Sequence, residues 1–555
     1  MARFFTLVFC LACMAATAQV SKDMQLLSNW DNNTYLASSG VVFNDCWGYV
    51  DPNGREYAII GSTSFVHFFD VTNPKNPTLV HIDTPTTATF TSIWRDFKTY
   101  SHYAYAVADQ GSEGMRVYDL ATLPTAVTEL APVPVLGNFA RAHNIFVDTT
   151  NARLYVAGSN TRSDGLLVYS LANPAVPVLL ASKTLPGGYC HDVYVRDNVA
   201  YTSQNSTGGF RAFNFADPNN PKQLGAITIY NQQGYQHSSW LTPDGQYAVL
   251  ADETHGKKMK TERLNWISND SIQITDADTF VSARNAPYSG TIPHNPFIKG
   301  NKCYISYYHE GIVVFDVSNP NNIGAPLAWY DTDTTHIGYS GYKGAWGCYP
   351  FLPSGTIIGS DVTYGMFLLR LCDPSACTPA STLESSNIGS TTAKVSWNSV
   401  ACADKSRLYY RTLSGAWQNI LLNVSYKNLT SLLPATTYQW RVKTRCQGNY
   451  WSVFTPIKTF TTATASQQAD PQTTATTFAI APNPGRGFYT LTLPESNTPQ
   501  RLDVRDMSGR ILRTETVTLS TYALDLSNLP TGIYLVSITD GTNQPKVIKL
   551  IQAEF

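Results

Sequence analysis

The sequence predicts an all-β protein, a seven-bladed β-propeller closed by its own N-terminal strand and followed by two small β-sandwiches. Three observations lead there. A strand signature recurs seven times between residues 64 and 371. Turn formers are dense, with 36 Gly and 31 Pro, as many short strands joined by tight turns require. Aromatic residues reach 12%, 32 of them Tyr, which suits pleated strands, and no long helical periodicity interrupts them.

The N-terminus comes first. Arg3 precedes an apolar run from Phe4 to about Ala16, and small residues follow through Thr17 and Ala18. That pattern reads as a signal peptide, residues 1–18, cut after Ala18. The run is shorter than the roughly 20 apolar residues of a membrane anchor, and neither Cys10 nor Cys13 follows a lipid-attachment box. No later segment is long and apolar enough to span a bilayer, so the mature chain is expected to be exported. Charged residues make up 14% and the net charge is −1, which argues against nucleic acid as a partner. A length of 555 residues calls for several domains.

The repeat occupies residues 19–372. Its clearest element is a third strand, seen at 64–71 (SFVHFFDV), 114–120, 165–171, 209–215, 311–317 (GIVVFDV) and 365–371, with a divergent copy at 271–277 (SIQITDA). Turns such as Thr72-Asn73-Pro74 and Ser318-Asn319-Pro320 follow several copies, and Pro cannot continue a central strand. Units of about four strands at this period fit propeller blades, and a pair of sandwiches would not repeat so regularly. The seventh unit stops at Leu371 without a fourth strand. Gln25–Asp31 resembles the fourth strand of unit six, Pro326–Asp331, so the N-terminal strand is expected to complete the last blade and leave no open edge. The Gly-x-x-Val-φ-Asp-Val strands with Ser/Thr-Asn-Pro turns resemble LVIVD repeats. With Asn29-Trp30-Asp31 they are similar to the choice-of-anchor B exported bacterial propellers, a likeness that implies a fold and no activity.

Residues 378–462 change character. Ala393–Trp397, Leu408–Arg411 and the string Leu433–Val442 resemble a fibronectin type III domain, in which Trp397 would pack between sheets and Tyr438 would fix a corner. Residues 463–476, rich in Thr, Ala, Gln and Pro, read as a linker. From 477 to 555 the order Ala481-Pro482-Asn483-Pro484-Gly485-Arg486-Gly487, Asp506-Met507-Ser508-Gly509-Arg510, Leu526–Tyr534 and Val547–Leu550 is similar to type A sorting domains of type IX secretion. The resemblance implies the type IX machinery as a partner. It also implies release from, or attachment to, the outer-membrane surface of a Gram-negative, Bacteroidetes-type bacterium.

The signal peptide would remove Cys10 and Cys13 from the 10 cysteines, leaving an even number in an oxidising compartment. Cys372 lies close to Cys377, Cys402 and Cys446 share one domain, and Cys46 and Cys348 sit in matching Cys-Trp-Gly and Trp-Gly-Cys strings. Cys190 and Cys303 have no obvious mate, and the connectivity stays open.

Nucleophile elbows, zincin helices, P-loops and dinucleotide fingerprints are missing from the sequence. A positional pattern stands in their place. The start of each unit's first strand carries Trp47, Trp94, His143, His191, His237, His294 and Trp346, so four of the chain's 10 His occupy one repeat position. In a propeller that position lies at one mouth of the channel. Strand alternation brings Asp109, Gln204, Asp252, Glu253, His255, His309, Glu310 and Asp361 to the same face. His143, His191, His237 and His294 are therefore candidate ligands for a transition metal (Zn, Cu or Fe), with Asn144, Asp192 and Asn295 as candidate orienting partners. Trp47, Trp94, Trp346, Asp252, Glu253 and Glu310 are candidate ligand contacts. The same His positions would equally suit a channel filling that bonds the carbonyls of neighbouring blades. Residues 255–270 read as an insertion in unit five, a basic–aromatic loop with Lys257, Lys258, Lys260 and Trp266. The expected function is a non-enzymatic exported propeller binding a protein or glycan at its mouth. The second reading is a metal-dependent enzyme, an oxidoreductase using the His ring.

Overall fold

A computed structural model of the chain describes residues 21–84, 92–130, 139–282, 290–335, 339–373, 377–446, 450–464, 478–493, 499–507, 509–539 and 546–553. The expected signal peptide and residues 465–476 of the expected linker lie outside the described residues. The chain divides into two compact units, Met1–Leu432 with Thr436–Thr462, and Leu433–Ala435 with Ala463–Phe555. Among the described residues, no helix is long and apolar enough to cross a membrane.

Seven antiparallel sheets build the propeller. Their first strands are Phe43–Val50, Arg95–Tyr100, Asn144–Asp148, Asp192–Arg196, Gln236–Leu241, Asn295–Lys299 and Ala345–Tyr349. Each touches the next, and the last touches the first, so the array closes into a ring. Strands in such blades are buried on both faces, which explains their nearly continuous apolar runs. In blade one Val66 and Phe68 pack with residues of blade two, while Phe69 packs with residues of blade seven.

Closure follows the expected route. Met24–Trp30 pairs antiparallel with Gly365–Leu371, from Met24 opposite Leu371 to Trp30 opposite Met366. A further pairing was not foreseen. Ser21–Lys22 adds to Ala328–Tyr330 at the rim of blade six, so the N-terminal segment ties two blades together.

Blade five departs from the sequence reading. Its third strand is Met259–Ser268, and Ser271–Phe280, the segment containing the SIQITDA string, is the fourth. The expected insertion is therefore largely blade. Lys260 is buried and pairs with Asp252 at 3.0 Å, and Trp266 lies along the long hairpin opposite Ile272.

Trp30 also joins a buried aromatic group in blade one, 5.1 Å from the His67 ring and 4.7 Å from Phe69. The Nδ1 of His67 faces the Ile60 carbonyl at 3.1 Å, and Nε2 faces the Tyr35 hydroxyl at 2.9 Å. Burial holds this imidazole down at about 4. Below pH 6.5 the unfolded chain takes up a proton that the folded chain refuses, so stability is lost as pH falls from about 6.5 to about 4. The loss through this one residue should be about 3 kcal/mol. Urea unfolding at a series of pH values should give His67→Gln a shallower acid limb by that amount, and identical limbs would reject the assignment.

The next sandwich pairs Leu383–Ser386, Ala393–Trp397 and Tyr426–Leu429 in one sheet. Ala403–Thr412, Gln418–Leu422, Thr437–Cys446, Tyr450–Trp451 and Lys458–Thr461 form the other. Trp397 and Trp440 fill the space between them, their indoles donating to Ser406 and Ser385. Two disulfides are present, Cys372–Cys402 and Cys377–Cys446. They correct the pairings that sequence proximity suggests. The first ties the end of blade seven to the sandwich, where the Cys402 amide also donates to Gln25. The second closes a separation of 69 residues, a constraint worth about 4 kcal/mol against the unfolded chain. Cys46, Cys190, Cys303 and Cys348 are free and buried.

The second unit is a sandwich of Ala479–Ala481, Phe488–Thr492 and Thr521–Asp525 against Gln500–Arg505, Ile511–Val517, Gly532–Thr539 and Lys546–Gln552. Its recurrent strings are its stitching. Asn483 donates to the Lys549 carbonyl and accepts from the Ile551 amide at 2.8 and 2.9 Å. The Tyr534 hydroxyl donates to Pro530, and Gln552 donates to Leu526 and Leu529. Gly487 has φ +90°, and a Cβ there would meet the Ser527 backbone at 2.7 Å, so glycine is required.

Candidate functional site

The start of each first strand reaches the channel mouth because blades are wedge-shaped and their first strands are innermost. There His143, His191, His237 and His294 form a continuous arc, with successive ring centroids 4.0, 4.2 and 4.3 Å apart. Trp94 stands at one end, 6.2 Å from His143, and Trp346 at the other, 4.9 Å from His294.

Three of the four rings are held from behind by a hydrogen bond. The Nδ1–H of His191 donates to the His237 carbonyl at 3.1 Å, and that of His294 donates to the Trp346 carbonyl at 2.6 Å. A carbonyl can only accept, so both rings carry the proton on Nδ1 and leave Nε2 as a lone pair. The His294 carbonyl has the same electrostatic effect on His237, although Nδ1 of that ring lies outside hydrogen-bonding geometry. His143 instead faces the Asp109 carboxylate through Nδ1 at 3.0 Å. The carbonyl bonding between blades is thus present, and it uses only the rear nitrogen.

Electrostatics divide the arc. Burial, then the neighbouring His143, holds His191 well below the usual imidazole range. Burial, then His191 and His294, does the same to His237. Burial takes His294 down to about 3. Burial alone would lower His143 as well, but its bond to Asp109 and that carboxylate's charge hold it above the ordinary value. Glu253 is pushed up to about 7 by burial. It accepts from the Tyr308 hydroxyl at 2.5 Å.

In front of the arc lies a cavity of about 890 Å³. Its walls include Trp94, Tyr189, Tyr235, Tyr308, Tyr342 and Trp346, with Asp109, Glu253, His255 and Lys343 among the polar groups. The expected contacts Trp94, Trp346 and Glu253 therefore share this cavity with His143, His191 and His237, while His294 lines the small inner cavity behind them. Tyr189, Tyr235, Tyr308 and Tyr342 were not singled out from sequence. Among 32 Tyr, their only signal is proximity, in the hairpins and loops, to the His positions.

Three expected contacts lie elsewhere. Trp47 is the fifth residue of its strand, deeper in the channel, where it packs 4.8 Å from Tyr349 and 6.2 Å from Phe297. It belongs to an aromatic collar in which Phe146, Tyr194, Trp240 and Phe297 follow one another at 5.0, 4.7 and 5.1 Å. Asp252 is fully buried between Lys260 and the Tyr230 hydroxyl. Glu310 is fully buried against Ser282 and Tyr339. Both brace the blade edges, away from the cavity.

The expected orienting partners also lie one layer down. Asn144 accepts from the Val193 amide of the next blade at 3.4 Å. Asp192 shares a small inner cavity of about 60 Å³ with Asp45, Asp96, Lys98 and Asn295. There Lys98 pairs with Asp96 at 2.5 Å and lies 4.3 Å over the Trp47 ring. Burial and the adjacent Asp96 raise Asp45 well above the usual carboxylate range, and the same two causes bring Asp192 to about 7. Backbone carbonyls and Asp109 orient the imidazoles, and these residues knit the blades together.

The strings stitched together by Asn483, Tyr534 and Gln552 find a counterpart among known families. Residues 479–552 match the family described as the secretion system C-terminal sorting domain. The C-terminal segment is a type IX sorting domain. Such a domain implies a secreted or cell-surface protein in Bacteroidetes. No curated protein matches the chain. Among solved structures, the propeller domain of Cps50 (Swd1) from Myceliophteria thermophila is 10% identical over 62% of this chain and 99% of its own, with a TM-score of 0.41. A computationally designed protein, Ika8, is 8% identical over 62% of this chain and 100% of its own, with a TM-score of 0.37. A redesigned β-sandwich is 26% identical over 16% of this chain and 98% of its own, with a TM-score of 0.15. Likenesses this distant carry no functional argument.

Proposed function

We propose that this chain is an exported propeller that holds a glycan in its mouth cavity, delivered outside the cell by the sorting domain. The observation that carries the reading is the aromatic wall of the cavity. A volume of about 890 Å³ lies within the range of ligand sites, which combine apolar walls with a few placed polar groups. Trp and Tyr rings offer flat faces to the C–H faces of sugar rings and keep a polar edge for hydroxyls. Glu253, Asp109 and His255 supply further partners at the rim.

Oligosaccharide and peptide arrays probed with the full chain test the reading, followed by fluorescence titration of the bound compounds. Trp94→Ala and Tyr342→Ala, both at residues partly open to the cavity, should each weaken glycan binding at least tenfold, about 1.4 kcal/mol, with little change in melting temperature. Binding confined to peptides would move the reading to a protein ligand. Undiminished binding in both variants would remove it from the mouth. A second reading, a metal-dependent oxidoreductase, is favoured by the arc of four imidazoles and would show as turnover of the bound compound.

A further inference from the structure

We propose that His237, His294 and Glu253 form a binding site for a divalent first-row transition ion whose remaining coordination positions open into the mouth cavity. This goes beyond the glycan reading and does not depend on it. Two imidazole nitrogens and a carboxylate come together here from the first strands of blades five and six and the end of blade five's second strand.

The distances carry the argument. His237 Nε2 stands 3.7 Å from one Glu253 oxygen, and His294 Nε2 stands 3.9 Å from the other. The ligand atoms of all three residues lie within 4.8 Å of one another. These nitrogen–oxygen separations exceed hydrogen-bonding length. The Nδ1 proton of His294 is committed to the Trp346 carbonyl, so in the neutral ring its Nε2 turns a lone pair toward a carboxylate lone pair. A cation placed between them would satisfy both lone pairs at once. An ion about 2.0–2.1 Å from each donor in tetrahedral geometry places donors roughly 3.4 Å apart, so each nitrogen–oxygen pair needs to draw in by roughly half an ångström or less, and small side-chain rotations close the rest of a triad whose ligand atoms lie within 4.8 Å.

The surroundings match what a metal centre requires. The Trp346 carbonyl fixes the tautomer of His294, and the Tyr308 hydroxyl holds Glu253 from outside, the arrangement by which partners behind the ligands tune metal sites. His237 is fixed between the rings of His191 and His294. Both imidazoles are almost completely buried, while Glu253 keeps 17% of its side chain exposed and faces the cavity, which provides an entry path. Imidazole nitrogen disfavours Ca²⁺ and Mg²⁺, which take oxygen ligands. Two His and one carboxylate with open positions suit Zn²⁺ or Fe²⁺. His143, His191 and His237 form a second group of similar spacing, but that group contains no carboxylate ligand.

The test uses the full chain, stripped with a chelator and titrated with Co²⁺, whose visible absorption reports its coordination, and with Zn²⁺ by calorimetry. One equivalent should bind. His237→Ala and His294→Ala should abolish the Co²⁺ band, and Glu253→Gln should weaken affinity at least tenfold. Tyr308→Phe, acting only behind the ligand, should weaken it about 10-fold or more. His255→Ala, which lines the same cavity, should leave affinity unchanged. Where an alanine variant fails to fold, Glu253→Gln decides, because its amide oxygen still accepts from Tyr308. Absence of stoichiometric binding by the intact chain overturns the site. Unchanged affinity in Glu253→Gln together with loss in His143→Ala overturns it as well, in favour of the neighbouring triad.

Discussion

A chain beginning at residue 40 should fold poorly or melt far below the full propeller. Such a truncation removes Met24–Trp30, the strand that completes blade seven, and Ser21–Lys22, which extends blade six. Met24 is fully buried in a cluster with Ile357, Phe367 and Leu369. The Trp30 indole packs on Phe43 and Phe69 of blade one. Losing the burial of these two side chains costs roughly 3–6 kcal/mol. The exposed edge of Gly365–Leu371 adds an aggregation hazard. Against a typical net stability of about 5–15 kcal/mol, this is a large fraction. Chemical denaturation of the truncated and full chains measures it, and equal midpoints would show that closure contributes little. The milder Trp30→Ala should reproduce about half of the effect without opening the ladder.

Deleting residues 477–555 should abolish delivery outside the cell and leave the propeller folded. The effect on location is expected to be all-or-none, because the strings matching the sorting family lie only there, in residues 479–552. The effect on stability should be small. The segment forms the bulk of a separate compact unit with its own core of Leu491, Leu502, Val504, Val536 and Leu550. Cell fractionation of a native-type host, with protease accessibility of the propeller as the readout, should place the truncated chain in the periplasm. Normal surface delivery of that chain would refute the sorting role. Gln552→Ala is a finer probe. It removes both bonds to the Leu526 and Leu529 carbonyls, leaving acceptors without donors at a cost of about 1–3 kcal/mol, and should lower delivery by loosening the sandwich.

The sequence by itself determined the all-β class, the number of blades, the ring-closing strand and the His arc, because these depend on local patterns. Third strands announce themselves through apolar runs bounded by Gly and Asn-Pro turns. A missing fourth strand shows as an absence in the repeat, and four His at one repeat position must stand side by side once the blades close. Where the pattern is weaker, the reading slips. Met259–Ser268 carries Lys260, Glu262 and Arg263 and passes for a loop, because only the folded blade brings Asp252 to the buried Lys260, holds Glu262 up at about 8 by burial and leaves Arg263 at the surface. Trp47 joined the wrong series because aromatic residues recur at two depths of the channel, three residues apart, and strand bulges blur the register.

Tertiary structure alone decided what each neighbouring residue faces. Asp252 and Glu253 are adjacent, yet successive strand side chains point to opposite faces. One therefore braces Lys260 between strands, and the other enters the cavity beside His237 and His294. The disulfides follow the same logic. Cys372 and Cys377 are close in sequence, but each pairs with the cysteine that the packed sandwich brings to it, Cys402 and Cys446. The Tyr-rich wall comes from hairpins and loops of separate blades, whose convergence is a property of the closed ring and of no local string. Periodicity determines which elements form, and the packing between them determines which side of each element becomes a site.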